Sequence, residues 1–490
     1  MSLTIKEYIN LDATELIKLI NSKKISSDEA FKCAYSLTNK VNPKLNFLTR
    51  KYKEFIASKN TSPQIPYLLK DCGLNLKGTE TTYGTASLVG KLAEETCELT
   101  QKYLDMGLAV LGKTTTPEFC TTGVTETKVY GVTKNPWNLK HTPGGSSGGS
   151  GAAVAARIVP IASGDDGGGS IRIPAAFNGL VGLKPTVGVT TNHQQNPDSW
   201  MGLTTKHVLT RTTRDSLWVL INSCNKNYLS EKLDIQNKKY DLAKLLQSNK
   251  KYRIGFSTES FFGYKTDTQN QKAVKGIVEL LKKNGHKLVE AKIDTKESNI
   301  KKAYLIIVAH SIYKHIDSIK IKKLNYKSVE LSNWLLYVIG KKTSKSSVEW
   351  AVNQCEVIKN DIDHYMSDFD FFINPTTAVP APKTGFMDLS MVEKTGIKLS
   401  HLVPNVETLY SGLDQAAKKG LGKTPNTQFT NLSGHPSISV PVSFSKDNTP
   451  LGVQITGRYF SELDLLKLSS EIENEIQFFN KIPDITTNSI

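Results

Sequence analysis

Two kinds of apolar pattern alternate along this chain, and together they predict its fold class. Short apolar runs, typical of buried strands, cover 65–71, 109–113, 181–186, 253–256, 370–376, 434–441 and 451–457. Predicted helices cover 11–21, 27–41, 52–60, 99–106, 210–219 and 464–478. Because strands alternate with helices, the pattern predicts an α/β fold whose sheet is covered by helices.

Local signals divide the chain into parts without separating it into domains. Ser26 is the predicted N-cap of the second helix, and Asn42-Pro43 is predicted to end that helix. We interpret 1–490 as a single domain. Its predicted parts are N-terminal helices in 1–60, a glycine-rich core in 61–229, a lysine-rich peripheral helical region in 230–365, and a C-terminal sheet and helix in 366–490.

Composition narrows the classes of protein that this chain can belong to. No run of about 18 apolar residues is present, and charges interrupt the N-terminal segment where a signal peptide would be apolar. We therefore expect a cytoplasmic protein without a membrane partner. The six cysteines lack CxxC spacing, which favours reduced thiols over a disulfide framework or a zinc site. The net charge of +16 is carried almost entirely by dispersed lysine, so we do not expect nucleic-acid binding.

Two glycine clusters, 144–151 and 167–169, are the most informative feature of the sequence. Serines lie in the first cluster and directly after the second, and a small-residue helix is predicted between them. A flexible linker is excluded because apolar runs lie between and after the clusters. A phosphate loop lacks its lysine, a dinucleotide fingerprint lacks its third glycine, and an elbow nucleophile at Ser147 lacks the hydrophobic strand that should precede it.

A serine nucleophile without histidine fits the second cluster better than these alternatives. Ser170 follows three glycines, whose N–H groups can point into one site because no side chain blocks the approach. A serine hydroxyl still requires a base to remove its proton. A lysine can serve if its surroundings favour the neutral amine.

These residues resemble the signature of the amidase signature family. The family has a glycine- and serine-rich segment and then a second segment of the form D-x-G-G-S-[IV]-R-x-P; here they are 144–151 and 166–174. The family also places a lysine before an aspartate at a strand end, which Lys70-Asp71 matches. Further matches lie at 113–114, 117–119, 135–137, 182–185 and around Gly434 and Gly452, so the resemblance covers nearly the whole chain and is weakest in 230–365.

The resemblance implies a central mixed sheet with helices on both faces, and a Ser–cis-Ser–Lys triad. By position, Ser170 is the nucleophile, Ser146 is the bridging serine after a cis peptide, and Lys70 is the base. The implied oxyanion donors are the N–H groups of Gly167, Gly168, Gly169 and Ser170. The implied acyl pocket contains Cys120, Thr121, Thr122 and Ser146. No metal and no cofactor are implied.

Neighbouring residues receive supporting roles. We expect Arg172 to pair with Asp166 and stiffen the loop, and Ser147 to form hydrogen bonds within it. Gly167 departs from the bulkier residue that many members carry there. The run 166–174 is more similar to members that act on linear or cyclic aminohexanoate amides and aryl acylamides.

Three functions are compatible with these residues. The first is a free-standing amidase whose partner is a small-molecule amide, with a homodimer left open. The second is the glutaminase subunit of the glutamyl-tRNA(Gln) amidotransferase, which has the same triad and works with partner chains. The third is a catalytically silent binding protein, which the intact triad disfavours.

Overall fold

The computed structural model describes residues 3–58, 61, 63–190, 200–232 and 240–490. In these ranges the helices are α1 (Ile5–Tyr8), α2 (Ala13–Asn21), α3 (Ser27–Leu45), α4 (Glu98–Asp105), α5 (Gly148–Ala155), α6 (Arg172–Asn178), α7 (Thr213–Ser223), α8 (Lys226–Lys232), α9 (Leu242–Leu246), α10 (Thr268–Lys283), α11 (Glu297–Ser318), α12 (Leu331–Lys342), α13 (Lys345–Asp368), α14 (Met391–Leu399), α15 (Val406–Leu421), α16 (Gln428–Ser433), α17 (Glu462–Ile476) and α18 (Asp484–Thr487). The strands are β1 (Leu48–Ile56), β2 (Ile65–Lys70), β3 (Leu108–Thr114), β4 (Glu126–Thr127), β5 (Gly131–Val132), β6 (Ile161–Asp166), β7 (Val181–Lys184), β8 (Thr205–Thr210), β9 (Arg253–Phe256), β10 (Lys287–Glu290), β11 (Phe371–Pro375), β12 (Ser437–Phe444) and β13 (Pro450–Gly457).

One mixed sheet organises the described part of the chain. Its strand order is β1-β3-β2-β6-β8-β7-β12-β13-β11-β9-β10, and β4 and β5 form a separate pair. β2 runs parallel to β3 and β6, whereas β8, β7, β12 and β13 pair antiparallel with their neighbours. The predicted mixed sheet flanked by helices is confirmed.

The central strands are buried, and this explains their continuous apolar runs. Every residue of β2, β3, β6, β7 and β8 is buried. Helices α3, α4, α7, α10 and α17 pack on these and neighbouring strands, while α5 and α6 contact both each other and the strands that carry the glycine-rich core. Burial on both faces removes the polar alternation of a half-exposed strand, so the sequence shows runs instead.

Two predictions about the N-terminal segment are wrong. A helix was predicted over 52–60, but strand β1 continues to Ile56 and pairs antiparallel with β3 at the edge of the sheet. Residues 59 and 60 lie outside the described part of the chain. Pairing with β3 supplies its backbone hydrogen bonds, and such tertiary contacts override weak helix propensity. Helix α3 also continues through Pro43 to Leu45 and ends at Asn46, whose left-handed backbone donates to Asn42.

The lysine-rich region 230–365 is more than a peripheral layer. Its strands β9 and β10 extend the main sheet beyond β11, and both pairings are parallel. Its helices α11 and α12 pack on each other, and α11 also packs on α13 and α16. The region therefore contributes two strands to the main sheet and helices that pack on α16 in the C-terminal part of the chain.

Within the described residues, no helix has the length and hydropathy needed to cross a bilayer.

Candidate active site

Lys70 lies at the C-terminal end of the buried strand β2. Its side chain is fully buried, and its backbone N–H donates to the Ser163 hydroxyl of neighbouring β6 at 2.7 Å. Because β2 and β6 are parallel, their C-terminal ends lie at the same edge of the sheet. This arrangement brings the lysine beside Asp165 and Asp166, which end β6 and lead into the second glycine cluster.

The terminal nitrogen of Lys70 contacts the first glycine cluster. Its Nζ lies 2.8 Å from the Ser146 Oγ and 3.3 Å from the Asp165 carbonyl oxygen. The peptide bond between Gly145 and Ser146 is cis. A β-carbon at Gly145 would lie 2.5 Å from the carbonyl oxygen of Val124, so the glycine allows the backbone to pass close to this stretch of chain.

Asp166 and Arg172 form the buried frame of the second cluster. Arg172 donates to both carboxylate oxygens of Asp166, from Nη2 at 2.8 Å and from Nε at 3.0 Å, and both side chains are completely buried. Burial alone would raise the pKa of Asp166, but the Arg172 guanidinium outweighs burial and holds that pKa well below its usual range. The expected pair of Arg172 and Asp166 is therefore present, and Asp166 is held in its charged form.

The guanidinium also ties the cluster to the C-terminal part of the chain. Its other hydrogen bonds go to Thr430, Asn431, Ser437 and Gln454. These partners lie on or beside α16, β12 and β13. A single side chain thus fixes the glycine loop relative to three elements distant in sequence.

The backbone N–H groups of the glycine loop divide into two sets. Gly169 N–H donates to Asp166 Oδ1 at 2.7 Å, so this group is already engaged inside the loop, which differs from its predicted role as an oxyanion donor. Gly167, Gly168 and Ser170 N–H groups have no acceptor among the residues that the structure describes. Three of the four predicted donors therefore remain available to a ligand.

Two cavities meet at these residues. A small one, about 30 Å³ in volume, is lined by Ser146, Ser170 and Gly167 among others. A larger one, about 480 Å³, also reaches Ser170 and includes Gly168 in its wall. Cys120 borders both cavities. The structure therefore brings Ser146 and Ser170 to one small cavity, and Ser170 also borders a larger one.

The remaining predicted residues lie around the same space. Thr121 and Thr122 line the larger cavity together with Cys120, and Thr121 also donates to Asn333 of α12 at 2.7 Å. Ser147 is buried, and its hydroxyl accepts from the Asp165 N–H at 3.3 Å. The Ser147 hydroxyl therefore contacts the loop backbone, in keeping with a supporting position.

The glycine at 167 has a specific neighbour. A β-carbon there would lie 2.8 Å from the indole ring of Trp200. The ring thus occupies the space that a bulkier residue at 167 would need, and it lines the small cavity beside Ser170. Sequence reasoning did not single out Trp200, because no local signal links it to the glycine cluster.

Sequence reasoning also missed the contribution of the lysine-rich region. Helix α11 supplies Tyr304, Leu305 and Val308 to the larger cavity, and Ser311 and Ile312 to the smaller one. The apolar run 305–309 was a usable signal, since a peripheral helix rarely needs one.

Two cysteines lie beside the Lys70 ammonium. Cys72 and Cys120 both line the small cavity, and the Cys120 thiol lies 3.1 Å from the Thr116 hydroxyl. Burial opposes ionisation of Cys120, but the hydrogen bond with Cys72 and the charge of Lys70 outweigh burial and lower its pKa to about 6.

Within the described residues, no group of three or more His, Cys, Asp and Glu side chains is arranged to hold a metal ion.

Comparisons with known proteins show which family and which solved structures this chain is similar to. A family model described as Amidase matches residues 22–466. A lipoamidase of Enterococcus faecalis is 33% identical over 96% of this chain, which spans 64% of that protein's length. A glutamyl-tRNA(Gln) amidotransferase subunit of Clostridium botulinum (strain Eklund 17B / Type B) is 28% identical over 98% of this chain and all of its own. The structure of 6-aminohexanoate cyclic dimer hydrolase complexed with substrate superposes with a TM-score of 0.84, at 26% identity, covering 98% of this chain and 99% of that one.

The fold and the match over most of the chain define a class of enzyme, the hydrolases that act on carbon–nitrogen bonds. Within that class, the chain belongs to the amidase signature family.

Proposed function

We propose that this protein hydrolyses a carboxamide through a serine acyl-enzyme, with Ser170 as nucleophile, Ser146 as bridging serine and Lys70 as base. The observation that carries the proposal is the 2.8 Å contact between the Lys70 Nζ and the Ser146 Oγ at a cavity that Ser170 also lines. A charged Lys70 donates across this contact. The free amine accepts from the Ser146 hydroxyl across the same distance, and this is the arrangement that a base requires.

The proposed reaction moves one proton along this chain of groups. Ser146 gives its proton to Lys70 and takes the proton of Ser170, whose oxygen attacks the amide carbon. The proton then returns through Ser146 to the leaving amine as the carbon–nitrogen bond breaks. Water attacks the resulting ester by the same route and releases the carboxylic acid.

The negative charge that forms on the carbonyl oxygen needs donors in place. The unengaged N–H groups of Gly167, Gly168 and Ser170 are proposed for this role, because backbone donors that are already oriented stabilise an oxyanion strongly. The N–H of Gly169 instead holds the loop against Asp166. Asp166 thereby supports the site without contacting the reacting atoms.

The larger cavity supports a mostly apolar acyl group in the substrate. Its wall contains apolar side chains from four helices: Leu305, Val308, Leu331, Leu335, Leu336, Ile397, Leu413 and Leu421. A volume of about 480 Å³ is within the range of pockets that bury a small organic ligand. The similarity to a 6-aminohexanoate cyclic dimer hydrolase favours aminohexanoate-type amides as the first substrates to test.

The glutaminase subunit of an amidotransferase is the second candidate. It is favoured by the 28% identity to the Clostridium botulinum amidotransferase protein over 98% of this chain. Free glutamine is small, so it would fill only part of a cavity of about 480 Å³ whose wall contains apolar side chains from four helices. Co-purification with partner subunits and ammonia release from glutamine would favour this candidate over the first.

The proposal is tested by labelling and turnover. A fluorophosphonate should add to a peptide that contains Ser170, detected by mass spectrometry, and Ser170→Ala should lose both the adduct and amide hydrolysis. An adduct on Ser147 would instead support an elbow nucleophile. Turnover across aliphatic, aminohexanoate-type and aryl amides then ranks the substrate classes.

A further inference from the structure

Gln428 is a polar residue in the wall of the larger cavity, close to the glycine loop. Gln428 is the first residue of α16 and is only 2% exposed. The residue before it, Thr427, donates its hydroxyl proton to the carbonyl oxygen of Gly168 at 2.6 Å. Gln428 therefore belongs to the part of the cavity wall that adjoins the proposed oxyanion donors, and Ser170 borders the same cavity.

The two ends of the Gln428 amide have different surroundings. Its Nε2 donates to the Thr424 carbonyl oxygen at 2.9 Å, which fixes the orientation of the amide group because a carbonyl can only accept. Its Oε1 is buried and has no hydrogen-bond partner among the residues that the structure describes. An acceptor is thus held in a defined direction without a donor from the protein.

Such an acceptor distinguishes between ligands. A bound chain that offers a donor satisfies the acceptor, whereas a hydrocarbon chain leaves the acceptor unpaired, as it is in the free protein, and gains nothing from it. Sites that hydrogen-bond a substrate N–H or O–H therefore reject analogues that lack the group. The oxygen of Gln428 should act in this way on any acyl chain that fills the cavity.

We propose that Gln428 is a specificity-determining residue that accepts a hydrogen bond from a second, non-scissile amide N–H in the acyl part of the substrate. The inference rests on the proposed function and narrows it to amides whose acyl chain carries another amide group. A neutral N–H fits better than an ammonium here, because a buried ammonium would need a charged partner and Gln428 offers only a neutral oxygen. Carboxylates and lysines occur together in the cavity lining, at Glu126, Glu330, Asp388, Lys128, Lys394 and Lys419, so its charges favour neither sign.

The test compares two substrates that differ in one group. Both are p-nitroanilides of equal chain length; one has a hydrocarbon acyl chain, and the other has a CH2–CH2 unit replaced by an amide whose position is varied along the chain. For at least one position, wild type should prefer the amide-containing chain in kcat/KM by about tenfold or more, the scale set by one unpaired buried acceptor. Gln428→Met, which keeps the length of the side chain, should reduce this ratio to near one.

Controls separate the role of Gln428 from a general effect on the pocket. Leu413→Met changes the cavity wall without changing its polarity, so it should alter both substrates by a similar factor. Gln428→Leu repeats the test if the methionine variant is poorly folded, and thermal melting checks folding of each variant.

The outcomes distinguish this inference from the proposed function. If Ser170 is labelled by a fluorophosphonate but the substrate ratio is the same in wild type and in the Gln428 variants, the inference is wrong and the acyl-enzyme proposal stands. A wild type without preference at every amide position also overturns the inference. If Ser170 is not labelled, the proposed function itself has failed.

Discussion

Replacing Arg172 by leucine should remove a large part of the stability of this protein. The substitution leaves the Asp166 carboxylate fully buried without its charged partner. Breaking a buried ion pair by removing one partner costs about 3–5 kcal/mol. The acceptor oxygens of Asn431 and Gln454 also lose their Arg172 donors, at about 1–3 kcal/mol for each acceptor that stays unpaired. We therefore expect a loss of at least about 4 kcal/mol, against a total of about 5–15 kcal/mol for typical proteins.

The matched control is Arg50→Leu. Arg50 also binds a carboxylate through two nitrogens, at 2.9 and 3.0 Å to Glu80, but 46% of its side chain is exposed. Exposed pairs contribute about 0–1 kcal/mol, so this variant should unfold almost like wild type. The measurement is urea unfolding followed by circular dichroism, with Arg172→Lys as a milder variant if the leucine variant does not fold. Equal losses for Arg172→Leu and Arg50→Leu would refute the reasoning.

The same pair gives a pH dependence with a definite sign. In the folded protein the pKa of Asp166 lies well below its ordinary value of 3.8. The stabilisation is therefore complete above the unfolded value and is lost as pH falls below it, because only the unfolded state then takes up the proton. In Arg172→Leu, burial should instead raise the pKa of Asp166 in the folded state. Lowering the pH should therefore narrow the difference in unfolding free energy between wild type and Arg172→Leu.

Three further predictions concern the candidate site. Lys70→Arg should lower kcat/KM by about 10²–10⁴-fold, since arginine cannot act as the base. A wild-type kcat/KM in steady-state kinetics of this variant would contradict the role of Lys70 as the base. Iodoacetamide should reach Cys120 through the larger cavity that this residue lines and should block hydrolysis, while Cys120→Ala should resist the reagent. A fully active enzyme with Cys120 alkylated would count against a position in the substrate pocket. Gly168→Ala places a methyl group against the Tyr304 hydroxyl and should lower kcat about 100-fold or more. Adding Tyr304→Phe should restore part of this loss, because it removes the hydroxyl that the methyl group meets. An unchanged kcat in Gly168→Ala would exclude the Gly168 N–H as an oxyanion donor.

The buried strands could be predicted from sequence alone because their signal is local. Strands such as β2 and β3 are buried along their whole length, so each appears as a run of apolar residues. The strand β1 could not be recognised in this way, because it lies at the edge of the sheet and its burial is uneven. Only its pairing with β3 decides that it is a strand.

The candidate site shows the same division. The glycines and serines at 144–151 and 167–170 are consecutive in sequence, and close backbone approach to a ligand needs glycine whatever else surrounds it. These clusters therefore indicated the candidate site from the sequence alone, whereas Lys70 was assigned to it only through the resemblance to the amidase signature family. Nothing local identifies Trp200, Tyr304 or Gln428, because each takes part only through contacts with distant segments.

The sequence by itself determined the class of fold and marked the glycine and serine clusters of the candidate site, since apolar runs and glycine clusters reflect requirements of the backbone within a few residues. The tertiary structure alone decided which N–H groups of the loop stay unengaged: Asp166 accepts from Gly169 and leaves its neighbours free. It also decided the lining of the larger cavity, because helix α11 and Gln428 reach that cavity from segments far from the glycine clusters in sequence. Burial and hydrogen bonding are properties of the packed chain, so residues of this kind acquire their role only when the segments meet.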